Sequence, residues 1–267
     1  MIKGIDISSW QGNLKPSHYK SQIDFAIIKA TEGNDYLNPH FLSAIKDCIN
    51  ADMLFGFYHY YNPTCSAKEN ARWFWNKVHA FTTKGIPVLD YEEWQGNDAK
   101  LCEIFIDEYY KYSHVYPVLY ISASHCTDFG TSGIPKKCPL WVAGYPRDYA
   151  TWPKLSMCPY DVNPWKNVVI WQFASDWRLV GCNQDLDANV SNLSRKEWLK
   201  IARGETGKPV NDLPETMPDC MTLAHEVLAG KWGNGLDRVE RLSAAYGGDT
   251  YTHVQAIVNE MIENGNV

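Results

Sequence analysis

Two carboxylates at the end of a predicted strand are the clearest chemical signal in the chain. Asp90 and Glu92 follow the apolar residues 86–89, which are rich in strand formers. Because side chains two apart on a strand point to the same side, both carboxylates would share one small volume. Their repulsion, together with partial burial, would raise the pKa of one of them. An acid and a base side by side near neutral pH can cleave a glycosidic bond.

The elements that would position this pair alternate between strands and helices, which is typical of a parallel sheet wound with helices. The predicted strands are residues 2–8, 25–30, 54–60, 87–92, 118–122, 140–144, 168–173 and a short piece near 184–186. The predicted helices are residues 39–50, 67–81 and 99–113, with a closing helix at 195–202. Eight strands favour a closed α/β barrel. We expect an irregular barrel, because the later connections are rich in proline, glycine and cysteine.

Polar and aromatic residues collect where the predicted strands end, which is the edge where parallel barrels hold their sites. Asp6 ends the first strand, and Asp90 and Glu92 end the fourth. The candidates for substrate contacts are the other residues at strand ends, namely Glu32, His59, Tyr60, Tyr120, Trp141, Trp171 and Gln172. An acidic pair is also compatible with a solvated loop edge, Glu32 with an ordinary turn and His59 with a satisfied histidine at the rim. The repeated placement at strand ends favours an active site.

Six segments, in chain order, carry a family resemblance. They are GIDISSWQG from residue 4, KATEG from residue 29, GFYHY from residue 56, PVLDYE from residue 87, LWVA from residue 140 and WQF from residue 171. Together they resemble glycoside hydrolase family 25, the Chalaropsis-type lysozymes that are common among phage endolysins. The resemblance covers roughly the first three quarters of the chain.

The resemblance implies a TIM-like β/α barrel that hydrolyses the β-1,4 bond between N-acetylmuramic acid and N-acetylglucosamine in peptidoglycan. In that family the glutamate of the acidic pair donates the proton, which implies this role for Glu92. Asp90 and Asp6 are the other acids that the resemblance implies. A last catalytic aspartate near the final strand corresponds best to Asp185, with Asp187 as the alternative. This chemistry requires neither a cofactor nor a metal.

The role of Asp90 has two interpretations. It could attack the sugar as a nucleophile, or it could polarise the N-acetyl group of the substrate while that group attacks. Two acids so close and parallel on one strand are poorly placed to hold opposite sides of a sugar, which favours N-acetyl assistance. Other functions compatible with the sequence are a catalytically weak or inactive barrel that binds peptidoglycan, an amidase or peptidase, and a chitinase.

Composition and charge exclude several other functions. The net charge of −6, without a basic run, argues against nucleic acid as a partner. No segment approaches the roughly 20 apolar residues of a membrane span, so we expect no membrane insertion. Residues 1–6 lead directly into a predicted strand, so we expect synthesis in the bacterial cytoplasm without a signal peptide and action on the cell wall after release. The eight cysteines are scattered, which favours reduced thiols.

The C-terminal part of the chain is a separate predicted module. Residues 204–218, rich in proline, glycine and polar side chains, predict a linker between a barrel domain at 1–203 and a three-helix bundle at 219–267. Residues 228–235 (LAGKWGNG), 238–242 (RVERL) and 254–259 (VQAIVN) resemble the short cell-wall-binding repeat of endolysins. The resemblance implies that Lys231, Trp232 and Arg238 bind a peptidoglycan fragment, although Trp232 could instead only shape a turn. One repeat provides no avidity, so assembly into a homo-oligomer would strengthen binding.

Overall fold

A computed structural model describes residues 1–96, 98–146, 149–166, 168–205, 220–246 and 248–263. The chain divides into two compact units, Met1–Thr206 and Gly207–Val267. Most of the predicted linker, residues 206–218, lies outside the described residues. No helix within the described ranges is long and apolar enough to cross a membrane.

The first unit contains one nine-stranded sheet among its described residues. The strands are β1 (Ile2–Ile7), β2 (Phe25–Glu32), β3 (Tyr36–Leu37), β4 (Leu54–Tyr60), β5 (Ile86–Asp90), β6 (Val118–Ser122), β7 (Leu140–Ala143), β8 (Val168–Trp177) and β9 (Leu186–Ser191). Their order is β1-β9-β8-β7-β6-β5-β4-β2-β3, and β1 also pairs with β2. Eight strands therefore close into a barrel, and β3 only extends the edge beside β2. The predicted α/β barrel is confirmed.

The last strand differs from the sequence prediction. β9 covers Leu186–Ser191 rather than residues 184–186, and it runs antiparallel to both β1 and β8. The register between β1 and β9 places Asp6 opposite Asp187. An antiparallel strand enters the barrel at the end where its neighbours leave it. The first residues of β9 therefore lie at the edge where the other strands finish.

Helices cover the outside of the barrel unevenly, as the sequence predicted. The helices of this unit are α1 (Phe41–Asn50), α2 (Ala67–Val78), α3 (Asp98–Ser113), the four-residue α4 (Ile134–Lys137) and α5 (Arg195–Ala202). Capping boxes begin α2 and α5: Ser66 and Ser194 each accept the backbone N–H of a glutamate three residues later, whose side chain accepts the serine N–H. In the described part between β7 and β8, the only helical segment is the 3₁₀ turn Leu155–Met157.

Alternate residues on each strand face two different cores. An apolar cluster inside the barrel contains Phe25, Ile27, Leu54, Ile86, Val88, Val118 and Ile170, together with Trp198 from α5. The Trp198 ring lies 4.8 Å from that of Phe25, and its Nε1 donates to the Phe55 carbonyl. A Cβ on Gly4 would lie 2.3 Å from the Phe25 ring, so only glycine leaves room for that ring. This packing fills one end of the barrel and leaves the other end for a cavity.

The second unit is a three-helix bundle. Its helices are α6 (Cys220–Leu228), α7 (Gly235–Tyr246) and α8 (Gly248–Glu263). Leu223, Ala224, Val227, Leu242, Val254 and Val258 form its buried core. The first unit contains seven cysteines, and all seven are free thiols.

Candidate active site

A cavity of about 300 Å³ opens where the parallel strands of the barrel end. Four carboxyl groups line it: Asp6 at the end of β1, Asp90 at the end of β5, Glu92 just beyond it and Asp187 at the start of β9. We call this space the acid cavity. Its other lining residues are Ser8, Trp10, Lys29, Tyr58, Tyr60, Tyr120, Trp141, Tyr145 and Gln172. In the described part of the chain, no group of three or more His, Cys, Asp or Glu residues could hold a metal ion.

Asp6 lies at the back of the acid cavity, where two amides hold it. Its Oδ2 accepts hydrogen bonds from Gln172 Nε2 at 2.9 Å and from Asn189 Nδ2 at 2.6 Å. Burial raises the pKa of Asp6 to about 6, and the charge of Glu92 adds to this effect, although the two amides oppose it. The side chain is therefore fixed in position and poised to gain a proton in mildly acidic solution.

The last acid of the site is Asp187, and the sequence-based preference for Asp185 was wrong about position. Asp185 is exposed outside the barrel, where its Oδ1 accepts from Arg178 Nε at 2.6 Å. Asp187 faces the lumen because it stands opposite Asp6 in the antiparallel ladder. Burial and the charges of Asp6 and Glu92 raise the pKa of Asp187 to about 8, and a hydrogen bond with Asp6 contributes.

Asp90 and Glu92 both line the acid cavity, although β5 ends at Asp90 rather than at the predicted residue 92, and the two residues differ in exposure. Asp90 is 6% exposed, and its Oδ1 has no hydrogen-bond partner among the described residues. Burial, followed by the charge of Glu92, raises the pKa of Asp90 well above its ordinary value. Glu92 is exposed at the mouth of the cavity, and its pKa is also raised, chiefly because the cavity wall partly desolvates the carboxyl group.

One lysine lines the acid cavity together with the four acids. Lys29 Nζ lies 4.5 Å from the centre of the Tyr60 ring and 2.8 Å from Glu32 Oε2. Its positive charge lowers the pKa of both Asp90 and Glu92, which opposes the effect of burial. The predicted substrate contact Glu32 does not line the cavity; its carboxylate instead binds Lys29 and, at 3.2 Å, Asn62 Nδ2.

Of the predicted substrate contacts, four line the acid cavity: Tyr60, Tyr120, Trp141 and Gln172. Gln172 Oε1 accepts hydrogen bonds from Tyr120 Oη at 2.8 Å and Tyr145 Oη at 2.6 Å, while its amide nitrogen donates to Asp6. These contacts fix which end of the amide faces the acid. The walls of the cavity therefore form one connected polar network with aromatic rings on its surface.

His59 and Trp171 were predicted as substrate contacts and lie outside the acid cavity. His59 is fully buried between the barrel and its helices, with Thr31 Oγ1 and Asn70 Oδ1 each 2.8 Å from a ring nitrogen. Burial lowers the pKa of His59 to about 3, so the ring stays neutral. Trp171 is equally buried and donates to the Gly144 carbonyl at 3.0 Å. Strand alternation explains both, because the adjacent residues Tyr60 and Gln172 face the lumen.

The predicted site residues did not include Lys29, Tyr58, Tyr145, Asn189 and Trp10, all of which belong to the site. Two signals were available, since Tyr58 shares a strand face with Tyr60, and Trp10 lies in the first family-like segment. Trp10 is 91% exposed on the 3₁₀ turn Ser9–Gln11. A capping box between Ser8 and Gln11 holds that turn. A large apolar ring held in solvent beside a polar cavity is typical of a stacking surface for sugars.

The three residues predicted to bind the cell wall lie near the turn between α6 and α7. Lys231 Nζ and Trp232 Nε1 donate to the two carboxylate oxygens of Glu226, at 3.2 and 2.9 Å. Arg238 donates to the Gly233 carbonyl and to Asn234 Oδ1 and Gln255 Oε1, each at 3.1 to 3.2 Å. These side chains therefore help to shape the bundle in addition to presenting polar groups at its surface.

The fold and this cluster of carboxyl groups define a barrel enzyme of the glycosidase type. Comparison with protein families gives the same class, because the pattern of glycosyl hydrolases family 25 matches residues 5–182, more than half of the chain. The chain belongs to glycosyl hydrolases family 25 and is a glycoside hydrolase. A second pattern, the CW_7 repeat, matches residues 221–262.

Known relatives agree with this assignment. Lysozyme M1 of Streptomyces globisporus is 28% identical over 226 residues, which cover 75% of this chain and 71% of the relative. The lysozyme of Streptococcus phage Cp-7 is 26% identical and matches 96% of this chain and 69% of its own. The crystal structure of the bacterial lysozyme from Streptomyces coelicolor superposes with a TM-score of 0.64 at 27% identity, over 77% of this chain and 98% of that one.

Proposed function

We propose that the protein hydrolyses peptidoglycan as an N-acetylmuramidase, at the β-1,4 bond between N-acetylmuramic acid and N-acetylglucosamine. Relatives named lysozyme or N,O-diacetylmuramidase support this substrate; the N,O-diacetylmuramidase of Chalaropsis is 27% identical over 73% of this chain. The observation that carries the mechanism is the pairing of a buried carboxyl, Asp90, with an exposed one, Glu92, in a single cavity.

Glu92 is the proton donor in this mechanism. Its position at the mouth of the cavity lets the carboxyl group reach the glycosidic oxygen, and its raised pKa helps it to keep a proton near neutral pH. When the bond to the leaving sugar breaks, Glu92 gives its proton to that oxygen. It then accepts a proton from the water that attacks the remaining sugar.

Asp90 assists the N-acetyl group of the substrate. Its carboxylate lines the acid cavity and can accept the amide N–H of that group, which orients the acetyl oxygen toward the anomeric carbon and stabilises the positive charge of the cyclic intermediate. The acetyl oxygen forms the new bond to this carbon as the bond to the leaving oxygen breaks. Water later opens the ring and restores the N-acetyl group.

Substrate binding would also decide which acid of the pair holds the proton. The hydrogen bond between the two side chains raises the pKa of Asp90 and lowers that of Glu92, so on its own it favours a proton on Asp90. An amide N–H that donates to Asp90 favours the ionised form of that residue instead. The proton is then held by Glu92, where the reaction needs it.

Asp6 and Asp187 are positioning residues in this mechanism. Together they occupy the side of the cavity formed by β1 and β9, and their hydrogen bond fixes one proton between them. The charge of Asp6 also raises the pKa of Asp90, because like charges in one cavity repel. Asp6 therefore acts on the acid pair through Asp90.

The substitution Glu92→Gln tests the assignment of the proton donor. We expect kcat on purified cell walls to fall by about 10²–10⁴-fold, because the amide cannot give up a proton. The thermal unfolding midpoint should change little, since Glu92 is exposed. Glu103→Gln, a change of the same type on α3, is the control and should retain full activity. Activity of Glu92→Gln close to that of the wild type would exclude Glu92 as the donor.

Mass spectrometry distinguishes the two roles of Asp90. In N-acetyl assistance no sugar becomes attached to the protein, whereas nucleophilic attack leaves a glycosyl ester on Asp90. A slow fluorinated substrate that traps such esters should yield no adduct. A modified peptide containing Asp90 would establish the nucleophilic mechanism.

The CW_7 match extends the proposal to the second unit, which would bind a peptidoglycan fragment through Lys231, Trp232 and Arg238. The test is a pull-down of the full chain with insoluble cell walls. Lys231→Ala should weaken binding, whereas Arg241→Ala, which removes the same charge from α7, should not. Equal retention of both variants would exclude Lys231 as a contact.

A further inference from the structure

A second cavity, of about 440 Å³, lies on the barrel rim. We call it the rim pocket. Its lining comes from two loops, the one that follows β1 and the one that joins β8 to β9: Gln11, Gly12, Asn13, Leu14, Lys15, His18, Tyr19, Cys182, Asn183 and Gln184. Both loops leave the barrel at the edge that holds the four acids, because β9 runs antiparallel to β8.

The rim pocket is continuous in sequence with the acid cavity. Ser8 and Trp10 line the acid cavity, and the next two residues, Gln11 and Gly12, line the rim pocket. The capping box between Ser8 and Gln11 fixes this short segment, on which Trp10 is exposed and lines the acid cavity. A polymer bound across Trp10 would therefore contact both cavities at once.

Hydrogen bonds between the two loops hold the walls of the rim pocket in place before any ligand binds. Gln22 Nε2 donates to the Val180 carbonyl at 3.0 Å, and Val180 N donates to Gln22 Oε1 at 2.8 Å. This reciprocal pair joins the loop after β1 to the tip of the β8–β9 hairpin. Arg178, which binds both Asp185 and the Asn183 carbonyl, fixes the same tip. A preformed pocket of this kind loses little conformational entropy when a ligand binds.

The chemistry of the rim pocket is opposite to that of the acid cavity. Among the residues that the structure describes, no carboxylate lines the rim pocket, whereas four line the acid cavity. Lys15 and His18 are exposed, and neither side chain forms a hydrogen bond or ion pair with the residues that the structure describes. The amides of Asn183 and Gln184 add donors and acceptors without charge. Such a pocket fits a ligand that combines peptide groups with carboxylates.

We infer that the rim pocket binds the carboxylate-bearing peptide stem of a peptidoglycan strand while the acid cavity holds its sugars. This inference rests on the proposed function and deepens it. Peptidoglycan carries short acidic peptides on its muramic acid residues, so the neutral saccharide and the anionic peptide of one strand match the two neighbouring cavities. Lys15 is the charged contact for a stem carboxylate, and His18 and Gln184 donate hydrogen bonds to the peptide.

A comparison of two polymers tests the inference. The substrates are glycan strands with their peptide stems and the same strands after an amidase has removed the stems, which leaves one lactyl carboxylate on each muramic acid. We measure kcat/KM of the full chain on each and take the ratio. The double variant Lys15→Ala/His18→Ala should lower this ratio about tenfold, which is typical for loss of a charge-assisted hydrogen bond. High salt should lower the wild-type ratio as well.

Lys196→Ala is the matched control, because it removes an exposed lysine from α5, the helix whose Trp198 packs against Phe25 inside the barrel. Its ratio should equal that of the wild type. If the double variant leaves the ratio unchanged, or lowers both kcat/KM values equally, the rim pocket does not recognise stems. Such equal losses would instead indicate a further sugar site.

A binding experiment separates this inference from the proposed function. Calorimetry with the inactive variant Glu92→Gln measures the affinity for a free stem tetrapeptide. The added substitutions Lys15→Ala and His18→Ala should weaken this affinity about tenfold. Equal affinities would overturn the inference whether or not the enzyme cleaves glycan. A wild-type chain that cleaves neither polymer would overturn the proposed function alone if the tetrapeptide still binds through Lys15.

Discussion

The two faces of the same barrel strands differ in how far their polar groups are satisfied. On the outer face His59 and Trp171 are fully buried, and their ring nitrogens all have hydrogen-bond partners at 2.8–3.0 Å. On the lumen face Asp90 carries a buried oxygen without a partner, and Asp6 and Asp187 stand opposite one another. The outer face thus contributes stability, whereas the lumen face keeps groups whose proton affinities are shifted.

This difference shows how the barrel accommodates unfavourable electrostatics. Four carboxyl groups in one cavity repel each other, and their burial raises the pKa of each one. The apolar packing around Phe25 and Trp198, together with the outer core, stabilises the barrel against this cost. Substitutions on the two faces should therefore have opposite consequences for activity and for stability.

The largest contrast is expected between two aspartates that lie two residues apart. Asp187→Asn removes a carboxyl group that is hydrogen-bonded to Asp6 in the acid cavity and should lower kcat/KM on cell walls by roughly 10–100-fold, in the range seen when a supporting residue of a site is lost. Asp185→Asn only breaks an exposed ion pair with Arg178 and should stay within about twofold of the wild type. Equal losses of kcat/KM in the two variants would show that facing the lumen does not give Asp187 a role that Asp185 lacks.

His59→Ala should affect stability rather than catalysis. It removes a buried ring packed 5.2 Å from Phe105 and leaves Thr31 and Asn70 without their shared partner. We expect the free energy of unfolding to fall by about 2–5 kcal/mol, measured by urea denaturation. The folded protein should keep its KM at low temperature. A raised KM with unchanged stability would instead show that His59 contacts the substrate.

Trp10→Ala should have a smaller effect, which is confined to substrate binding. Loss of a stacking surface should raise KM about 2–10-fold, which corresponds to the strength of aromatic contacts. The thermal midpoint should not change, because Trp10 is 91% exposed. Leu42→Ala, an exposed apolar change on α1, serves as the control and should leave KM unaltered.

The smallest effect concerns the pH dependence of stability. The pKa of Asp187 is raised from 3.8 to about 8, so the folded protein retains a proton that the unfolded chain has already lost. The stability from this group is present below about pH 4 and is lost as pH rises toward 8. Relative to Asp187→Asn, the wild type should lose several degrees of Tm over this interval. A constant difference between the two Tm values would show that the pKa of Asp187 is not raised.

Much of the barrel could be predicted from local pattern. Apolar runs separated by helical periodicity gave the strands β1 to β8, apart from the short β3, and the capped helices α2 and α5. The spacing of Asp90 and Glu92 placed both on one strand face, and the structure puts both in the acid cavity. The family-like segments around Asp6 and Trp141 also led to residues that line it.

The remaining features depend on contacts between distant parts of the chain. The direction of β9 decides that Asp187 rather than Asp185 faces Asp6, and direction follows from pairing with β1 and β8 rather than from the local sequence. Whether His59 or its neighbours Tyr58 and Tyr60 face the lumen depends on how the sheet closes. The sequence by itself therefore determined which acidic residues are candidates for the site and that they lie near strand ends. Only the tertiary structure decided which of them meet, because pairing register and barrel closure are set by long-range contacts.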